Sequence, residues 1–396
     1  MSDTVLVLNS GSSSIKFGLF DVSAAEPALL CKGLLDEHEA RPRLVVKDPA
    51  GEDLFETQRE AVDAEGGHLF ADVLAFIEDR FGERSLRAVG HRIVHGGSDY
   101  SGPVVLTGDI TAKLEALTPL APLHQPRCLA PVRSLAAIRP ELTQIACFDT
   151  AFHHGLAPPA SRFAIPRCFE ARGVRRYGFH GLSFEYVAGR LAEIAPELAA
   201  RRTIIAHLGN GASLCALRDG RSIDTTMGLT PLDGLVMGTR CGTIDPGVLL
   251  YLQRHENMSV EEVQHLLYHE SGLLGVSGTS ADMRTLLASG EAAAREAVDL
   301  FTFRAAQQVA MMATTLGGLD CLVFTGGIGE HAKEIRGAIG ERLGWMGVRI
   351  DAASNDAARE RINGSDSTVD VVVIPTNEEM MIARHCAALI RGRRLS

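Results

Sequence analysis

Arg92 in GHRIVHGG and Arg240 in GTRCG stand among glycines and apolar residues, away from the charged amphipathic stretches where arginine serves as a solvated surface charge. A guanidinium donates two parallel hydrogen bonds, so it positions a carboxylate or phosphoryl group as well as neutralising it. Arg284 in ADMR and the histidines His124 and His180 add further donors in fixed contexts. Asp149 closes IACFD, and Glu378 opens the last helical stretch, where a carboxylate also stabilises a helix start without any chemical role. With Asn9, these two acids form an all-oxygen set of the kind Mg2+ takes, since that ion keeps several waters and few protein groups. Spacing along the chain does not bring them together.

Three glycine-bearing turns follow apolar runs: SGSSS at Ser10 to Ser14, GNG at Gly209 to Gly211, and GGIG at Gly326 to Gly329. Small turns of this kind let backbone amides approach phosphates closely, although each alone reads equally as an ordinary tight turn. None fits GxxxxGK[ST], and no GxGxxG dinucleotide fingerprint is present.

The elements that must position these residues are legible as pattern. TVLVLNSGSSSIKFGLFD predicts a buried strand, a polar turn and a second strand in which Ile15, Phe17 and Leu19 face the core and Lys16 points away. TIIAHLGNGASLCALRDG, from Thr203 to Gly220, repeats that plan and suggests a duplicated architecture. AVGHRIVHGG and QIACFDTAFHH read as apolar strands with polar residues clustered at their ends, as where strand termini line a ligand site. After Asp224 a Gly- and Thr-rich stretch predicts an ordered loop, and Ser259 with Glu262 predicts a capping box for a helix to about His269. Glu291 to Leu316 reads as a long, largely buried helix, and Thr376 with Glu379 as another capping box. Strands alternating with helices predict an α/β fold, with residues 1–150 plus 378–396 in one domain and 151–377 in a second.

Composition narrows the function. The 396 residues are 46% hydrophobic and 22% charged, with a net charge of −10, which disfavours nucleic-acid and anionic-membrane partners. Eight scattered cysteines lack CxxC or zinc spacing, and no run reaches the roughly 18 apolar residues of a membrane span. The expectation is a reduced, cytoplasmic protein.

LNSGSSSIKF, GHRIVHGG, PLHQP, CFDTAFH, RRYGFHG, HLGNG, DTTMGLTPLDGLVMGTRCG, SGLLGVSG, FTGGIGE and IPTNEE resemble, in order, the motifs of the acetate kinase family, over about residues 5 to 385. The resemblance implies two similar domains of the actin-like ATPase, ribonuclease H-like type, with a nucleotide cleft between them. It implies reversible transfer of the ATP γ-phosphoryl to acetate, or another short-chain fatty acid, with Mg2+ (or Mn2+ in its place) and a homodimer. By motif, Asn9 and Glu378 would hold the metal, while Lys16, His207, Leu208, Gly209, Asn210 and Gly211 would meet the nucleotide phosphates. Asp282, Met283 and Arg284 would border the nucleoside, together with Gly327, Ile328, Gly329, Glu330 and His331. Arg92 would hold the substrate carboxylate, and Val94, Leu123 and Pro231 would form the apolar pocket for its methyl group. Asp149 would sit at the reacting centre, and His180 and Arg240 would stabilise the phosphoryl group in flight.

Such a set suits direct in-line transfer, which needs positioning and charge neutralisation more than covalent chemistry. An aliphatic carboxylic acid is already ionised at neutral pH, so orientation suits Asp149 better than proton abstraction. Gln125, Phe184, Thr243 and His331 depart from the residues usual in the family. Two rivals remain: a propionate kinase of the same family, and a non-catalytic actin-like ATPase, which would be expected to lose Arg92, His180 and Arg240.

Overall fold

The computed structural model describes residues 3–10, 14–36, 43–58, 67–82 and 86–394, so Gly11, Ser12 and Ser13 of the SGSSS turn lie outside the described residues. The chain divides into two compact units, Met1–His154 with Asn377–Ser396, and Gly155–Thr376.

In the first unit the apolar run becomes β1 (Thr4–Ser10), which pairs antiparallel with β2 (Ser14–Asp21). Lys16 is exposed while Ile15, Phe17 and Leu19 are buried. The hairpin continues through β3 (Ala28–Asp36), β4 (Arg43–Lys47) and β5 (Asp53–Gln58). On the other side of β1 lie β6 (Leu86–Ile93) in parallel, then β8 (Thr143–Phe148) in parallel, with β7 (Val104–Val105) at the edge. The second unit holds β9 (Thr203–Leu208), β10 (Ala212–Arg218) and β11 (Arg221–Thr225) as an antiparallel meander. Beyond β9 come β12 (Cys321–Thr325) and β13 (Asp370–Val373), both parallel. The order β3-β2-β1-β6-β8 in one sheet is therefore repeated as β11-β10-β9-β12-β13 in the other. The duplication expected from the two hairpins extends to the parallel strands, which no local pattern announced.

Residues 226–245 form neither helix nor strand, as the glycine and threonine content predicted. The Ser259–Glu262 capping box is present, but α-helix ends at His265 and the chain continues as a π-turn, Leu266–Glu270. The long helix, Ala292–Leu316, is less buried than expected, with Phe303 and Met311 exposed on its outer face. Two local readings need correction. GGIG is not a turn: its glycines open a short helix, Gly326–His331, directly from β12. Thr376 is not the cap of the last helix, Glu378–Arg394; Asn377 Oδ1 accepts from Met380 N, and the Thr376 hydroxyl bonds elsewhere.

That last helix packs on β1 and β6. Gly90 permits the close approach, because a Cβ there would lie 2.6 Å from both Cys386 Sγ and Ile382 Cγ2. Behind the GHRIVHGG strand, Gln125 is fully buried and behaves like an extra strand residue. Its Oε1 accepts from His95 N, and its Nε2 donates to His95 O and Leu114 O, at 3.0–3.1 Å. The departure at this position is thus a clamp on the segment that carries Arg92. Of the eight cysteines, all free, six are buried, Cys241 is half-buried and Cys168 is exposed. No helix among the described residues is long and apolar enough to cross a membrane.

Removing the clamp leaves the His95 amide and carbonyl unpaired, so Gln125→Leu should lower unfolding stability by about 3 kcal/mol, measured in urea melts. His91, buried on β6, has neither ring nitrogen in a hydrogen bond of good geometry. Burial lowers its pKa from 6.5 to about 4, against a weaker push from Gln144. The unfolded chain therefore takes up a proton that the folded chain refuses, so stability present above pH 6.5 is lost as the pH falls toward about 4. Between about pH 7.5 and about pH 5 the His91 contribution should fall by about 2 kcal/mol, and His91→Gln should flatten that slope. Equal slopes for the two proteins would remove His91 from the account.

Candidate active site

In the first unit β1, β6 and β8 are adjacent, with Leu8 beside His91 and Ile93 beside Phe148. Asn9, Arg92 and Asp149 consequently emerge at the same ends of three neighbouring strands, although 57 residues separate Arg92 from Asp149. Arg92 lies on Asp149 with its fork, Nη2 to Oδ2 at 2.7 Å and Nε to Oδ1 at 3.0 Å. Its Nη1 donates to Asn9 Oδ1 at 3.1 Å and stands 3.5 Å from Glu378 Oε2. Asn9 Nδ2 in turn donates to Glu378 Oε2 and Glu379 Oε1. Burial pushes the Asp149 carboxyl up, Arg92 pulls it down, and the charge of Glu378 adds to the upward push. The guanidinium, despite the desolvation opposing its charge, is held protonated well above its usual range by Asp149 and Glu378. The five side chains form one network in which Asp149 aims Arg92. Val94 is buried and Leu123 half-buried in this unit. Lys16 stands opposite Asn9 in the β1–β2 register.

In the second unit the GNG turn joins β9 to β10 and faces two of the candidate side chains. A Cβ on Gly211 would lie 2.9 Å from Arg240 Nη2 and 3.1 Å from His180 Nε2, so this position admits only glycine without displacing both. Arg240 Nη1 donates to the Pro231 carbonyl at 2.6 Å, which fixes the guanidinium. The loop bearing Arg240 is docked on the same turn, since Gly238 N donates to Asn210 O. From behind it is held by the π-turn: Cys241 N donates to Leu267 O and the Thr239 hydroxyl to Tyr268 O. A guanidinium and an imidazole are thereby held in fixed positions beside the turn.

Beside this turn opens a cavity of about 760 Å³ lined by Gly209, Asn210, Asp282, Met283, Arg284, Gly327, Ile328 and His331. That volume is in the range of small-molecule sites. Sequence reasoning missed Ala281, Leu287, Ala288, Ala332 and Glu334, which complete its wall. The signal was present, because Leu287 and Ala288 lie one helical turn beyond ADMR on helix Met283–Ala288. Asp282 caps that helix through Arg284 N and pairs with the Arg284 side chain, which holds its carboxyl down at about 2.

Other expected residues line no part of the cavity. Leu208 is buried in β9, and a Cβ on Gly329 would touch Phe324 and Ala206. The Glu330 carboxylate turns inward, accepting from Gly326 N and Thr376 N. His207 is buried behind the GNG turn. Among the unusual positions, Thr243 ties its own loop together by donating to Asp233 Oδ1, and Phe184 packs edge-on to His207. The His331 side chain is 81% exposed, free to meet a ligand at the cavity rim.

Comparison with known proteins places this geometry. The model of the Acetokinase family matches residues 4–384. The chain is 50% identical to the acetate kinase of Rhodopseudomonas palustris, with 100% of each covered. Among solved structures, a propionate kinase from Francisella tularensis superposes with a TM-score of 0.90 at 39% identity, covering 97% of this chain and 98% of its own. The acetate kinase of Porphyromonas gingivalis gives 0.87 at 35% identity, covering 98% of this chain and 100% of that one. With nearly its whole length matched by the family model and by full-length relatives, the chain belongs to the acetokinase family.

Proposed function

We propose that the chain transfers the γ-phosphoryl group of ATP to acetate, reversibly, giving acetyl phosphate and ADP by direct in-line transfer. The observation that carries this reading is the convergence of Arg240 Nη2 and His180 Nε2 on Gly211, beside a cavity of nucleoside size. Phosphoryl transfer spreads charge over the equatorial oxygens, and these two side chains, already aimed, neutralise it without reorganising. Arg92 takes the acceptor carboxylate with the N–H groups that Asp149 leaves available, and Asp149 orients that guanidinium rather than abstracting a proton. Val94, Leu123 and Pro231 are assigned to the acyl methyl group.

The oxygen donors around Asn9 and Glu378 fit Mg2+, a hard cation that takes few protein ligands and keeps its waters. When bound, the ion neutralises phosphate charge; Mn2+ has the same donor preference. Lys16, His207 and the GNG turn are assigned to the phosphates, and the segments 282–284 and 327–331 to the nucleoside. The reading includes the cytoplasm, supported by eight free cysteines, and a homodimer. The dimer is supported by helix Pro246–Arg254, which buries no residue and exposes Val248, Leu250 and Tyr251.

Likeness to the Francisella propionate kinase favours a second reading, with propionate as acceptor. One methylene changes discrimination by about 10- to 200-fold, so a single side chain of the acyl pocket decides it. Retention of Arg92, His180 and Arg240 speaks against a non-catalytic ATPase.

Hydroxamate formation from acetate, propionate and butyrate, with ATP or pyrophosphate as donor, tests the reading. Acetate with ATP should give the highest kcat/KM; a higher value for propionate moves the assignment to the second acceptor, and no acyl phosphate from any acid defeats both. Arg92→Ala should raise the KM for acetate, whereas Arg240→Ala should lower kcat by about 10²- to 10³-fold with little change in nucleotide KM.

A further inference from the structure

On the reading just given, His180 and His207 must present ring donors toward phosphoryl oxygens, and three hydroxyl groups outside the assigned set orient them. The two rings stack, with centroids 4.4 Å apart and planes 24° from parallel. His180 sits in the left-handed region at φ 56°, immediately before helix Gly181–Ile194. Its Nδ1 lies 2.9 Å from Ser213 Oγ, and His207 Nδ1 lies 2.8 Å from Ser183 Oγ. Both serines are fully buried. The Thr376 hydroxyl donates to Ser183 Oγ at 2.8 Å. That leaves the Ser183 hydrogen for His207 Nδ1, an arrangement that calls for the His207 ring proton on Nε2.

The Nε2 atoms point to the phosphate turn. A Cβ on Gly211 would be 3.1 Å from His180 Nε2, and one on Gly209 would be 3.8 Å from His207 Nε2. Phe184, fully buried, holds His207 edge-on at 6.4 Å. Thr376 joins this arrangement to the segment after β12, because its backbone N donates to Glu330 Oε1, which also accepts from Gly326 N. One residue thus ties the histidine stack to the GGIGE segment that borders the cavity.

We propose that Ser183, Ser213 and Thr376 are positioning residues for the phosphoryl transfer: Thr376 through Ser183 sets the tautomer of His207, Ser213 sets the ring of His180, and both Nε2 atoms are thereby presented to the phosphate turn. None of the three hydroxyls touches substrate. The inference rests on the proposed phosphoryl transfer. A wild-type protein that makes no acyl phosphate would overturn that function; an active wild type with unaffected variants would overturn only the positioning chain.

The test compares wild type, Ser183→Ala, Thr376→Val and the double variant in the hydroxamate assay. Ser183→Ala should lower kcat about tenfold, the worth of one aligned hydrogen bond, with the acetate KM unchanged. Thr376→Val, isosteric and retaining the backbone bond to Glu330, should lower kcat in the same sense. The double variant should be no worse than Ser183→Ala alone, because the Thr376 hydroxyl acts only through Ser183. Wild-type kcat in both single variants, or strictly additive losses, overturns the proposal. Long-range 1H–15N spectra of histidine-labelled protein give a readout independent of turnover. They should show the His207 proton on Nε2 in the wild type and a tautomer mixture in Thr376→Val; a wild-type proton on Nδ1 overturns the proposal even if Ser183→Ala fails to fold.

Discussion

Burying Arg92 and Asp149 together is the constraint on which the first unit is organised. Each ion loses several kcal/mol of hydration on entering the interior, roughly recovered only when geometry is good and the remaining donors and acceptors are satisfied. The bidentate contact at 2.7–3.1 Å meets that condition, and Asn9 and Glu378 take up the rest. Everything nearby serves to hold the geometry. Parallel β6 and β8 set the two strand ends side by side, Gln125 locks the backbone at His95, and Gly96 N donates to the Thr150 hydroxyl. Gly90 lets the final helix come close enough to bring Glu378 to the network.

The second unit solves a related problem with fewer charges. Its candidate side chains are placed largely by backbone: a carbonyl holds Arg240, a glycine makes room for Arg240 and His180, and a π-turn supports the loop from behind. A π-turn inserts one residue beyond helical repeat, and such insertions recur where a helix must present backbone groups at an unusual angle. Here those groups are the carbonyls of Leu267 and Tyr268. Because five strands follow the same order in both sheets, candidate residues gather at the same ends of the strands: Arg92 at the end of β6, Asp149 just after β8, and the GNG and GGIG segments after β9 and β12. This is the usual location of ligand sites in α/β sheets.

Much of the fold was legible in local pattern. The two hairpins, the outward Lys16, the Ser259 capping box and the irregular 226–245 segment follow from alternation and side-chain capping, which act over a few residues. Of the residues expected by motif to meet the nucleotide, eight line the cavity: six from the nucleoside segments, and Gly209 and Asn210 from the phosphate turn. Three things were not legible. The Glu330 carboxylate accepts from two backbone amides that its motif position does not announce, and Thr376 looks like a helix cap until its hydroxyl is found on Ser183. Gln125, read as a mere departure, makes three buried hydrogen bonds to residues 11 and 30 positions away.

The sequence by itself determined the family, the α/β class and the chemical types available: guanidinium, imidazole, carboxylate and glycine-rich turns, each set by local composition and order. Only the tertiary structure decided that Arg92 is engaged by Asp149, that His180 and His207 stack, and that Arg240 and His180 meet over one glycine. The physical reason is that these contacts join residues tens of positions apart, through strand register and ring orientation that no local propensity encodes.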